Sequence, residues 1–159
     1  MGASAWDYIE PYAGDIAAAL AAVRQREFER LFVHGTTWDE LQPPERPFTS
    51  VDDLGELWQD EIFGSEGTHT IVDVWEVIDT EGYDDDHTVR LLSDRESVEM
   101  FGTAEPTRAD FERAQEDYRA RRRGSEALWE MPRWSAWCKP LKEGDGATAA
   151  IAFWGFSGD

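Results

Sequence analysis

The chain has 159 residues, 41% of them hydrophobic and 13% aromatic, with eight Trp; that much apolar material excludes a disordered acidic chain and fits a single globular domain, 1–159, with a real core. Its formal charge of −19 repels nucleic acid and anionic lipid and favours encounter with a cationic partner. The lone cysteine, Cys138, excludes an intramolecular disulfide and a cysteine-rich zinc site.

No stretch approaches the run of about 20 apolar residues that a membrane helix needs, and the start, MGASAWDYIEPY, lacks the basic and apolar regions of a signal peptide. The expectation is a cytoplasmic protein with no membrane and no nucleic-acid partner. The charge is also uneven. Residues 1–100 carry 6 basic against 24 acidic residues, net −18, whereas 101–159 carry 9 against 10, net −1. A GC-rich coding bias, visible in 13 Arg against only Lys139 and Lys142, or adaptation to high salt, accounts for the acidity as readily as a partner does.

In chain order, Asp15 to Phe32 reads as a helix, with Ile16, Leu20, Val23 and Leu31 forming an apolar stripe. The segment 36–49, with Pro43, Pro44 and Pro47, cannot continue it and reads as a surface loop. Ser50, with Asp53 three residues on, has capping-box spacing and opens a second helix whose apolar side is Leu54, Leu57, Trp58 and Phe63. Thr68 to Ile78, dense in β-branched and aromatic residues on both faces, predicts a central strand. After the acidic turn Asp79 to Asp86, His87 to Leu92 predicts a second strand pairing with it as an antiparallel hairpin.

Ser93 and Glu96 cap a short helix that Gly102 closes, and Thr107 with Asp110 opens a polar surface helix, 108–123, with Phe111, Ala114 and Tyr118 inward. The tail reads as a hairpin, 133–142 and 147–156, around Glu143-Gly144-Asp145-Gly146, with Pro140 confined to an edge or bulge. The resulting expectation is an α+β fold: an antiparallel sheet of about four strands with three to four helices, in the order ααββααββ.

The densest set of metal-type ligands is Asp84, Asp85, Asp86 and His87, which His69 would approach if the two strands pair. Successive strand residues point to opposite faces and the loop lacks the EF-hand pattern, so a solvated acidic turn is the preferred reading and no metal is expected. The histidines, His34, His69 and His87, have no spacing that selects a catalytic pair with Cys138 or a serine. Gly155-Phe156-Ser157-Gly158-Asp159 fails as a nucleophile elbow because Asp159 stands where a glycine is required. No phosphate-loop, dinucleotide or zinc-protease motif is present. The expectation is no catalytic residues and no cofactor. Trp129, Trp134, Trp137 and Trp154 cluster near the end and read as core.

GTHTIVDVWEVI (67–78), FGTAEPTRADFE (101–112) and FWGFSGD (153–159) resemble segments of small uncharacterised acidic proteins of actinobacteria, a resemblance that implies a source and no activity. The function expected from the residues is protein binding: an immunity protein or antitoxin that neutralises a basic toxin or effector through an acidic face. Its partner-binding residues would be Asp52, Asp53, Asp60, Glu61, Asp84, Asp85 and Asp86, with Trp38 and Trp58 as aromatic anchors. The alternatives are a small-molecule-binding or catalytic domain with a Trp-lined pocket and, more weakly, an acidic DNA mimic.

Overall fold

The structure, a computed structural model, describes residues 4–35, 48–122 and 131–158. In chain order these residues form strand β1 (Ala5–Pro11), helices α1 (Ile16–Phe28) and α2 (Glu61–Glu66), strands β2 (Glu76–Ile78) and β3 (Thr88–Leu91), helices α3 (Asp94–Phe101) and α4 (Arg108–Arg122), and strands β4 (Ser135–Lys142) and β5 (Thr148–Phe156). The protein is α+β.

Local chemistry sets three of the helix starts. The Asp15 carboxylate accepts the Ala18 N–H at the head of α1, which runs on into a π turn at Glu29–Val33. Ser93 and Glu96 form a reciprocal capping box on α3, and Gly102 ends that helix at φ 81°. Thr107 and Asp110 exchange the same pair of bonds at the head of α4. The Ser50–Asp53 box also forms, but it opens a 3₁₀ turn at Val51–Gly55 rather than the long helix expected, followed by a second turn at Leu57–Gln59 before the short α2.

The sheet corrects the expectation of four antiparallel strands. It has five strands in the order β1-β5-β4-β3-β2; β5 is antiparallel to β1 and to β4, while β3 is parallel to both β4 and β2. The strand missing from the sequence reading is β1. Its Asp7, Glu10 and Pro11 disguise it, yet Trp6 is buried in the core and the buried Glu10 is neutralised by an ion pair with Arg26 of α1.

The segment expected to be a central strand, 68–78, is mostly not a strand. Ile71–Asp73 is a 3₁₀ turn, and only Glu76–Ile78 pairs, as the edge strand β2. The Thr70 hydroxyl accepts the Val72 N–H, and Asp73 Oδ1 accepts the Thr68 N–H at 2.8 Å and the Thr68 hydroxyl at 2.7 Å. These side-chain bonds replace the ladder bonds of a strand. Ile71, Val72 and Val74 are still fully buried, so the composition correctly marked burial and wrongly implied extension.

The predicted antiparallel hairpin is likewise a parallel pair, β2 with β3. A parallel connection usually takes a dozen residues or more; here 79–87 suffices because β2 is only three residues long. Asp79 turns the chain by accepting the Glu81 N–H, and Arg90 of β3 clamps Asp84 of the returning loop. Pro140 lies in β4, an interior strand, but two residues beyond the last pairing with β3 at Cys138, so its missing N–H faces no neighbouring strand.

The sheet carries a core on each face. Leu20 and Val23 of α1 pack with Ile71, Val89, Cys138, Ile151 and Phe153 on one side. Phe101 of α3 and Phe111 and Ala114 of α4 pack with Trp137, Leu141 and Trp154 on the other. Alternation along β5 divides these residues between the faces. A third cluster, Phe28, Phe32, Leu54, Phe63 and Val72, fills the space between the end of α1 and the 3₁₀ turns.

Candidate functional site

Three residues other than glycine have φ in the left-handed region among the described residues: His69 at 58°, His87 at 65° and Trp134 at 62°. Each such residue costs roughly 1–2 kcal/mol, and strain of this kind concentrates where function has selected it. Two of the three, His87 and Trp134, belong to one aromatic cluster.

His87 stacks flat on Trp75, with centroids 4.0 Å apart and planes 13° from parallel. Trp58 meets His87 edge-on at 5.1 Å and Trp134 at 5.9 Å, and Trp134 lies 5.6 Å from His87. The imidazole is thus held among three indoles drawn from the Leu57–Gln59 turn, the approach to β2 and the approach to β4. Its Nδ1 lies 2.7 Å from the Asp73 carbonyl oxygen; a carbonyl only accepts, so Nδ1 carries the proton and Nε2 is the ring's other polar atom.

Beneath the cluster lies the Asp73 carboxylate, fully buried, which accepts from Thr68 and, at 2.6 Å, from the Ser157 hydroxyl. Burial pushes its carboxyl up from the ordinary range, and the bonds from Ser157 and Thr68 only partly offset this. Trp6 Nε1 donates to the same Ser157 oxygen, so β1, the 3₁₀ turn and the C-terminal residues meet at one acid. Ser157 donates to an acid rather than to a histidine, which is not the arrangement of an activated nucleophile.

Glycines make room for Trp134. A Cβ at Gly158 would overlap the Trp134 indole, and one at Gly67 would overlap the same ring and approach Asp73 Oδ2 to 2.9 Å. The ring therefore sits in a slot that only these two glycines leave open.

Trp75 is the exposed member, at 42%. Arg24 of α1 lies over its ring at 5.9 Å, and both line an open groove of about 510 Å³ between α1 and the edge strand β2, with Ala17, Ala21, Glu76 and Val77. The small side chains on α1 give the groove its depth. Arg24 Nε is buried with no hydrogen-bond partner among the described residues, while its NH2 reaches the Val72 carbonyl at 3.3 Å.

The residues singled out in the sequence divide into two sets. Trp58 is part of the cluster, and Asp60 and Glu61 lie two and three positions after it; exposed Asp85 and Asp86 immediately precede His87. Asp52 is close enough to Arg24 to raise the guanidinium's proton affinity against the burial that lowers it. The other set is used internally: Asp53 accepts the Ser50 N–H, Asp60 also accepts the Phe63 N–H, and Asp84 takes bonds from Arg90 and from Trp137 Nε1. Trp38 lies outside the described residues. Among the described residues no group of three or more His, Cys, Asp or Glu side chains is placed to hold a metal, and no helix is long and apolar enough to cross a membrane.

That Trp75, His87 and Trp134 come together in one site was not anticipated. The signal available was indirect: a tryptophan and a histidine within strand-like segments that carry too many Asp, His and Gly for regular strands.

No protein-family model, curated protein or solved structure matches this chain, so its own geometry carries the functional reading.

Proposed function

We propose that the protein is a binding module that holds a basic protein partner, an immunity protein or antitoxin neutralising a toxin or effector. Trp75 and its neighbours form the anchor, and the acids around them provide steering. The observation that supports this reading most is the coincidence of an exposed indole backed by stacked His87, an open groove beside it, and acidic residues within a few positions of Trp58, Trp75 and His87. Interface energy concentrates on such buried or half-buried aromatic anchors, and Lys or Arg of a partner gains from both a Trp face and nearby carboxylates. The field of a −19 chain accelerates encounter with a basic surface and is screened by salt.

A DNA-mimic role has less support, because Asp53, Asp60, Asp84, Glu96 and Asp110 turn their carboxylates to caps and ion pairs rather than to an open array. The test is capture from an extract of the source organism. The immobilised protein retains a basic protein that Trp75→Ala and Asp85→Lys/Asp86→Lys variants release at unchanged circular dichroism, and whose association slows at least tenfold between 50 and 500 mM salt, on the order expected for steered pairs. Retention of no basic protein, or of one indifferent to both variants, refutes the proposal.

A further inference from the structure

The groove beside Trp75 follows a strand edge, and the outward backbone of that edge takes no part in the sheet. β2 is the last strand, and among the described residues no strand pairs with its outer side. The Glu76 N–H turns inward, sharing the His87 carbonyl oxygen with the Trp75 N–H at 3.2 and 2.8 Å respectively. Next to β3, the Leu92 N–H reaches the Cys138 carbonyl of β4 at 3.0 Å, so by alternation Val89 and Leu91 turn their polar groups to β2. The register sets Glu76 against Thr88, Val77 against Val89 and Ile78 against Arg90. Glu76 and Ile78 therefore bond to β3, and the N–H and C=O of Val77 both point outward. Such an edge is a template for one further strand.

The side chains around that pair define what the added strand carries. Val77 is half-buried and packs toward the core under α1, and the groove of about 510 Å³ runs from it to Ala17, Leu20 and Ala21 of the helix. Ala17 and Ala21 are exposed and small, which leaves room for apolar side chains against them. Arg24 already supplies a cation on this side, over the Trp75 ring. Glu76 is exposed and, one residue along the strand, belongs to the opposite face. Opposite charges attract across neighbouring strands and like charges repel, so the residue set against Glu76 is basic. An extended chain alternates its side chains between faces, and the segment that fits reads apolar, basic, apolar, basic. A second copy of the chain fits poorly, since it would bring another net charge of −19 to the same edge.

We propose that the basic partner docks by strand addition. An extended segment of alternating apolar and basic residues bonds to the Val77 N–H and C=O, sets its apolar side chains against Ala17 and Ala21, and pairs its Lys or Arg with Glu76. Main-chain bonds hold the segment and alternate side chains select it. This mode rests on the partner-binding reading, yet the two fail separately. Capture of no basic protein removes the partner, whereas peptides that leave the Val77 amide unmoved remove the mode.

The test uses synthetic peptides on the full chain with labelled valine amides, the Val77 resonance being assigned as the one lost in Val77→Ile. Acetyl-Lys-Val-Lys-Val-Lys-amide moves that resonance downfield saturably, with Kd on the order of 0.1–2 mM. Three controls each bind at least fivefold more weakly: the Glu-Val-Glu-Val-Glu counterpart, the Lys-Lys-Val-Val-Lys isomer, and the first peptide N-methylated at every residue after its first. Two substitutions at exposed positions, Ala21→Phe to fill the groove and Glu76→Lys, each weaken the Lys-Val peptide at least fivefold at unchanged circular dichroism, and Glu76→Lys takes up the Glu-Val peptide instead. No saturable shift up to about 10 mM, equal binding of any control, or undiminished affinity in either variant overturns the proposal. So does a Val77 shift that depends on protein concentration without peptide, which would place a second copy on the edge.

Discussion

The connection that lets β2 run parallel to β3 depends on one side chain, and its removal has a calculable effect. Arg90, 8% exposed, donates to Asp84 through Nε at 2.8 Å and to Glu96 through NH2 at 2.9 Å, while its guanidinium lies 5.4 Å from the centroid of the Trp137 ring. It joins the returning loop, β3 and the head of α3. Removing one partner of a buried ion pair costs about 3–5 kcal/mol. Here the acids left behind are 17% and 34% exposed, so water reaches them and the expected loss for Arg90→Met falls to about 2–4 kcal/mol. With a urea slope of about 2 kcal/mol/M for a chain of this size, the midpoint drops by about 1–2 M.

A pH arm isolates Glu96. Partial burial pushes its carboxyl up, but the bonds from Arg90 and Ser93 outweigh that and hold it at about 2, against an ordinary value of 4.5. A depressed acid contributes stability that is fully present above pH 4.5 and is lost as pH falls toward 2. The shift alone would be worth about 3 kcal/mol, which solvent screening of a carboxylate one-third exposed reduces to about 1–2 kcal/mol. Circular dichroism at 222 nm through urea titrations at pH 7, 5 and 3 measures both arms. The wild type loses about half of the Glu96 increment between pH 5 and pH 3, and Arg90→Met loses less than half as much. A midpoint shift under about 0.3 M in Arg90→Met, or an unchanged pH dependence, would refute the assigned role.

Two further predictions follow from the packing. Gly158→Ala forces a methyl into the Trp134 ring and destabilises by about 1–3 kcal/mol, whereas Gly144→Ala, with nothing within 4 Å of its Cβ, stays within about 0.5 kcal/mol; thermal unfolding of the pair decides, and equal melting temperatures would contradict the slot. Cys138 is fully buried and burial pushes its thiol up to about 12, with Lys139 and Arg90 opposing weakly. The native protein should therefore leave Ellman's reagent unreacted at pH 8 over an hour and release one equivalent on denaturation; rapid labelling of the folded chain would show that β4 opens far more readily than its pairing implies.

The local signals in the sequence held where the determining chemistry lay within four residues. The Ser93–Glu96 and Thr107–Asp110 boxes, Gly102 as a stop and the Asp-Gly turn of the tail hairpin all form because donor and acceptor are neighbours in the chain. The inward Phe111, Ala114 and Tyr118 of α4 were readable from period alone. What failed was decided at long range. Thr68–Ile78 has the composition of a strand, but Asp73 gains more by folding back onto Thr68 and meeting Ser157 84 positions away than by extending, and no window of sequence contains that partner. β1 is a strand because β5 offers it an edge and Arg26 neutralises Glu10. The acidity and the choice of Trp58 as a candidate came from the sequence; that Trp58, Trp75, His87 and Trp134 form one cluster did not. Those four residues come from segments up to 76 positions apart, and only closure of the sheet, with two glycines leaving space for Trp134, brings their rings together.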